Sequence, residues 1–226
     1  MFFPLRDENP SRSFPIVTVG LILANTLVFI YQVSLGEGAQ GFVTAYGAVP
    51  AAVMGVFRAK AHAPLPASIT LLTHMFLHGG LLHLLGNMWF LWIFGDNVED
   101  AMGRLRFLAF YLIGGLAAAA SHIAAAPHST QPMVGASGAI AAVLGAYVLL
   151  YPKARVQPLF FFFIIIRIIR VPAFVYLGFW FVLQVVSSYS GGPVAWFAHI
   201  GGFIAGMVLT PFFVKNRKPP RRWMPV

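Results

Sequence analysis

Six stretches of this chain run for close to twenty residues almost free of charge, and they constrain its fold more than any motif does. They cover residues 14–34, 80–98, 107–126, 133–151, 172–189 and 194–214. About 20 apolar residues, wound as a helix, cross a hydrocarbon core roughly 30 Å thick. Inside lipid the backbone must satisfy its own hydrogen bonds, so a single span of this kind has to be helical. Charged residues are 9% of the chain and hydrophobic ones 59%, with a mean hydropathy of +0.79, whereas an ordinary soluble domain is about 25% charged. The expectation is an all-α membrane protein, a single domain over residues 1–226 with six transmembrane helices and little outside the bilayer.

Between the first two runs, residues 35–79 are apolar but broken by glycine and by Pro50, Pro64 and Pro66. Such a stretch cannot span, and it is expected to lie on or dip into the membrane interface. Residues 159–166, LFFFFIII, are too few to span before Arg167 and Arg170 interrupt them, and they too are placed at an interface. The chain opens MFFPLRDENPSRSFP with nothing resembling a cleavage site, so the first run reads as a retained span. No cysteine is present, which excludes disulfides and thiolate metal sites.

The net charge of +9 raises the question of nucleic acid, but the positions of the basic residues answer it differently. With a cytoplasmic N-terminus and six spans, Arg6, Arg12, Arg104, Arg106, Lys153, Arg155, Arg167, Arg170, Lys215, Arg217, Lys218, Arg221 and Arg222 all fall on the cytoplasmic side. Only Arg58 and Lys60 fall outside. Excess Lys and Arg in short cytoplasmic loops is the rule for membrane proteins, so both termini are expected in the cytoplasm. The basic tail KNRKPPRRW then anchors to anionic lipid rather than to nucleic acid. The short tails and the absence of a transit segment suggest a bacterial or archaeal plasma (inner) membrane.

On this topology the second, fourth and sixth spans start at the outer surface, and residues unusual for hydrocarbon cluster at those starts. His83 and Asn87 stand in the second span, Ser137 in the fourth and His199 in the sixth. Polar groups inside a membrane are costly and usually face a bundle interior or a water-filled cavity, where they mark function. His83 and Asn87 are four apart and share a helical face. Small residues continue from Ser137 through Ala141 and Gly145, and from His199 through Gly202 and Gly206, which lets two backbones approach closely. That approach would bring the His199 imidazole to the Ser137 hydroxyl. A serine needs such a base to take its proton as it attacks. Neither span holds an acidic residue, so a dyad is expected rather than a triad. Asn87, His83 and the Ser137 amide at a helix N-terminus could donate to the oxyanion that forms.

With these residues in view, the chain resembles the rhomboid intramembrane serine proteases. His83-Leu84-Leu85-Gly86-Asn87 resembles the family's HxxxN motif, Gly135-Ala136-Ser137-Gly138 its GxSG, and Ala198-His199-Ile200-Gly201-Gly202 its AH motif in the sixth span. Gly95-Asp96-Asn97-Val98-Glu99, followed by Gly103, resembles the loop after the second span. The resemblance implies a six-helix rhomboid bundle with an interfacial first loop, Ser137 as nucleophile, His199 as general base, and His83, Asn87 and the Ser137 amide as oxyanion donors. It also implies an endopeptidase without metal or nucleotide cofactor that cuts single-span membrane proteins near the outer leaflet, with the first loop and fifth span forming a wedge and gate. Two departures stand out. Some members carry an aromatic residue four after the nucleophile, under the catalytic histidine, and here that position is Ala141. Some have a Trp-Arg pair in the first loop, and residues 35–79 contain no tryptophan.

Other readings predict other residues. A non-catalytic rhomboid-like protein that binds or chaperones transmembrane helices would lack the serine or the histidine, and both are present. A transporter calls for mid-membrane ionisable groups and paired repeats. His74, His78 and His83 have a spacing that could serve a metal or haem, but no HExxH or neighbouring carboxylate accompanies them. His74 and His78 are expected to support the active-site loop, and His122 and His128 to be structural or interfacial. Glu99, Arg104 and Arg106 are expected to make cytoplasmic loop contacts.

Overall fold

In a computed structural model the structure describes residues 2–56, 65–162, 165–190, 192 and 194–215. Arg58, Lys60 and most of the basic tail lie outside the described residues. A helix occupies each of the six apolar stretches: α1 (Ile16–Ser34), α5 (Leu81–Met102), α6 (Arg104–Ala125), α7 (Ser137–Leu150), α8 (Ala173–Ser188) and α9 (Trp196–Phe213). Three of them, α1, α6 and α9, are long and apolar enough by themselves to cross a membrane. A fourth candidate arises if residues 67–76 are joined to α5 across a bend of 80°. His83, Asn87, Asp96 and Asn97 lower the hydropathy of α5 taken alone. α7 and α8 are apolar but shorter, at 14 and 16 residues.

Among its described residues the first loop carries more regular structure than its glycines and prolines suggest. It holds the short helices α2 (Ala39–Tyr46), α3 (Pro50–Val53) and α4 (Ala67–Thr73), with single 3-10 turns at Gly36–Gly38 and His74–Phe76. Its backbone braces the loop ahead of α7. Ala48 and Met133 exchange both of their backbone hydrogen bonds, and the Ala51 amide donates to the Ser129 carbonyl.

The centre of the bundle is built on close backbone approach. A Cβ added to Gly206 would stand 2.0 Å from the Ala142 carbonyl oxygen, and one added to Gly202 would stand 2.2 Å from that of Gly138. From the other side, a Cβ on Gly145 would meet the Phe203 carbonyl oxygen at 2.1 Å. The small-residue contact between α7 and α9 therefore exists, but on α7 it runs through Gly138, Ala142 and Gly145. Of the face expected from the sequence, Gly145 lies in the contact, while Ser137 and Ala141 give way to their neighbours Gly138 and Ala142. Ser137 is thereby left half-buried beside the contact instead of under it.

The protein is mostly helical rather than all-helical, which corrects the all-α reading. β1 (Phe2–Asp7) pairs antiparallel with β2 (Arg155–Phe162), whose other edge takes β3 (Ile165–Ile168) and the two-residue β4 (Val171–Pro172). Residues 159–162 and 165–166 of the apolar run thus lie in paired strands, as β-branched and aromatic residues favour. The sheet packs at the ends of α5 and α7 remote from Ser137. There Asp7 accepts from the Tyr147 hydroxyl and from Asn97 Nδ2, and the Pro4 carbonyl accepts from Trp89 Nε1 at 2.6 Å. Glu99 is also more deeply placed than a loop residue. It is buried and accepts from the Val17 and Thr18 amides and the Thr18 hydroxyl at 2.8–3.0 Å, capping α1. A carboxylate there satisfies amides that a helix start leaves open and meets its partial positive charge.

Candidate active site

Ser137 opens α7, and the loop that delivers it is fixed by Gly135. That residue has φ +116°, a conformation that side-chain-bearing residues rarely adopt, and an added Cβ would stand 2.8 Å from His83 Cε1 and Nε2. Its amide donates to the His74 carbonyl at 2.9 Å. His74 therefore supports the loop ahead of Ser137 through its backbone, while its ring turns to the Thr70 carbonyl at 3.1 Å.

His199, in the first turn of α9, comes to Ser137 across the small-residue contact. Nε2 of the imidazole is 2.8 Å from the Ser137 hydroxyl oxygen. The other ring nitrogen, Nδ1, is 2.9 Å from Oε1 of Gln184 on α8. Trp180 lies tilted against the imidazole at 6.1 Å and 35°, and Trp196 meets it edge-on at 5.9 Å and 88°. These two aromatics flank the ring where Ala141, fully buried on α7, offers none. Gln184 and Trp180 were not singled out in the sequence. A lone amide side chain in an apolar span is itself the signal that finds Gln184, since such a group needs a partner in lipid.

His83 and Asn87 face the same loop from α5. Nδ1 of His83 accepts from the Gly79 amide at 3.4 Å, so a neutral ring carries its hydrogen on Nε2, the nitrogen beside Gly135. Nδ2 of Asn87 would be 3.5 Å from a Cβ on Gly135, and this buried amide has no hydrogen-bond partner among the described residues. Two donors thus converge two residues ahead of Ser137, and the Ser137 amide joins them from the open first turn of α7. His78 is held by its main chain, exchanging hydrogen bonds with the Gln32 side chain at 2.7 and 3.3 Å. Its ring meets that of His83 edge-on at 5.2 Å. His122 is half-buried on α6 and His128 is exposed. Among the described residues no three histidines or carboxylates are grouped as metal ligands.

A bundle of apolar helices, several of them long enough to cross a bilayer, defines a multi-pass membrane protein. The sequence model of the Rhomboid domain matches residues 66–216, which takes in Ser137, His199, His83 and Asn87. The chain belongs to the rhomboid family. It is 39% identical over 136 residues to the rhomboid protease GluP of Bacillus subtilis, covering 60% of this chain and 24% of that one. It is 31% identical over 163 residues to the mitochondrial RHOMBOID-like protein 6 of Arabidopsis thaliana, covering 68% and 45%. With the mitochondrial presenilin-associated rhomboid-like protein of Homo sapiens it shares 28% over 170 residues, covering 68% and 42%. The chain thus matches less than half the length of these relatives.

Proposed function

We propose that this chain is an intramembrane serine endopeptidase that cuts transmembrane segments of single-span membrane proteins. The observation that carries the reading is the 2.8 Å contact between Ser137 and His199, opposite two amide and imidazole donors on α5. As the substrate carbonyl is attacked by the Ser137 oxygen, Nε2 of His199 takes the hydroxyl proton. The carbonyl oxygen becomes an oxyanion held by Asn87 Nδ2, His83 Nε2 and the Ser137 amide. Collapse of the intermediate releases the amine half of the substrate, protonated by His199. Water, deprotonated by the same imidazole, then frees the acyl half from Ser137.

In this reading residues 1–226 form one domain, α1, α5, α6, α7, α8 and α9 all cross the bilayer, and the first loop lies at the interface. α7 has 14 residues, hence a length of about 21 Å against a core of roughly 30 Å. Its Ser137 end is then recessed below the surface, in a cavity open to the outside where water can reach it. The charge distribution supports a cytoplasmic side for both termini, in this reading within a plasma (inner) membrane, and a reporter fused after Val226 is expected to read cytoplasmic. A reporter active only outside would reverse the topology.

The test of the activity is cleavage of a fluorogenic transmembrane substrate by the purified protein in detergent. Wild type is expected to turn over, and Ser137→Ala and His199→Ala to be inactive. Turnover that survives Ser137→Ala refutes the mechanism. A folded wild type that binds the substrate helix without cutting it favours a non-catalytic, helix-binding role.

A further inference from the structure

We propose that Gln184 is a positioning residue that fixes the tautomer of His199, an inference that rests on the hydrolytic reading above. The hydrogen-bond directions form a closed chain. Nε2 of Gln184 lies 3.1 Å from the Trp180 carbonyl oxygen, one turn earlier on α8. A carbonyl can only accept, so the amide nitrogen must face it and the amide oxygen must face His199. That oxygen, 2.9 Å from Nδ1, also only accepts. Nδ1 of His199 therefore carries the hydrogen. A neutral imidazole has one N–H, so Nε2 is left with its lone pair, and Nε2 is the atom 2.8 Å from the Ser137 hydroxyl. The serine must donate to it, which is the direction proton transfer requires.

The opposite tautomer would set two lone pairs against each other inside the bundle, because the Trp180 carbonyl prevents the amide from turning over. When His199 takes the serine proton, both of its N–H groups still have acceptors or substrate atoms to meet. The third position beside the dyad is thus a neutral amide where soluble serine proteases use a carboxylate. Packing alone does not explain it. Gln184 is buried at 7% exposure, and a leucine or methionine would fill the same space in a lipid-embedded helix without a polar group to satisfy. Trp180 reinforces the effect by lying against the imidazole from the same helix, four residues before Gln184.

The test uses the full-length protein in detergent with ¹⁵N-labelled histidine, the His199 signals being assigned by their loss in His199→Ala. Wild type is expected to show a protonated Nδ1 and a bare Nε2, and the reverse pattern overturns the proposal. Gln184→Met, close in size, is expected to lower kcat by about 10²-fold with KM unchanged, while Gln184→Glu, which restores an acceptor in either protonation state, recovers about tenfold of that loss. A Met variant with wild-type kcat overturns the role, as does a Glu variant no faster than the Met variant. If wild type neither cleaves substrate nor reacts at Ser137, the hydrolytic reading fails by itself, and the tautomer pattern still decides whether Gln184 orients His199.

Discussion

Asn87 and His83 are donors by chemistry as well as by position. The Gly79 amide occupies Nδ1 of His83, leaving its N–H on the side of Gly135, and Asn87 keeps a buried N–H with no partner among the described residues. An unsatisfied buried donor costs about 1–3 kcal/mol, a burden relieved when an oxyanion arrives. Asn87→Ala should therefore lower kcat by about 10²-fold or more, the scale of one lost oxyanion donor. Because Asn87 Nδ2 makes no hydrogen bond among the described residues of the resting protein, Tm should not fall. Kinetics and thermal melts on the same preparation check both, and an unchanged kcat would remove Asn87 from the mechanism. At this scale Ser137, His199, His83 and Asn87 were legible because each is a polar residue at the start of an apolar run. Gln184 carried the same signal in mid-span, but its partner is fixed by helix packing, which no spacing within α8 encodes.

Helices α7 and α9 are held together by glycines, and β1 is held to the bundle by a polar knot. A methyl group at Gly206 or Gly202 would collide with backbone of the facing helix, so the distance between Ser137 and His199 depends on residues one to two turns away. The stripe was legible from its four-residue spacing, but the shift from Ser137 and Ala141 to Gly138 and Ala142 on α7 was not, because a 14-residue run apolar on every side leaves the buried face undetermined. The sheet was illegible for a related reason. Residues 159–166 are uniformly apolar and show no alternation, and their partner strand lies some 150 residues away in sequence. Within the knot, burial raises the Asp7 carboxyl to about 7, opposed by the Tyr147 hydroxyl that donates to it and reinforced by the nearby Asp96 carboxylate. A carboxyl raised on folding holds its proton where the unfolded chain has lost it. Its contribution to stability is full in acid and declines as pH rises from near 4 through about 7. Melts between pH 5 and 8 should show the Tm of wild type falling relative to that of Asp7→Asn as pH rises. A slope equal in the two proteins would separate Asp7 from the effect.

For the molecule as a whole, two ends divide the work. The sheet, the Glu99 cap on α1 and the Asp7 knot secure the end where α5 and α7 finish. The starts of α5, α7 and α9 carry the polar residues, with the first loop bracing them through Ala48 and the His74 carbonyl. Anchoring and the proposed chemistry are thereby separated along the bundle axis, and the spacing between Ser137 and His199 depends on the close approach of α7 and α9 at Gly138, Gly145, Gly202 and Gly206. The central claim is that Ser137 is a nucleophile activated by His199. Its most direct test is the mass of the peptide containing Ser137 after the detergent-purified protein reacts with a fluorophosphonate. The expected result is a single phosphonyl adduct on Ser137, formed far more slowly in His199→Ala. A folded wild type whose Ser137 peptide stays unmodified, or an adduct forming at the same rate without His199, would contradict the account.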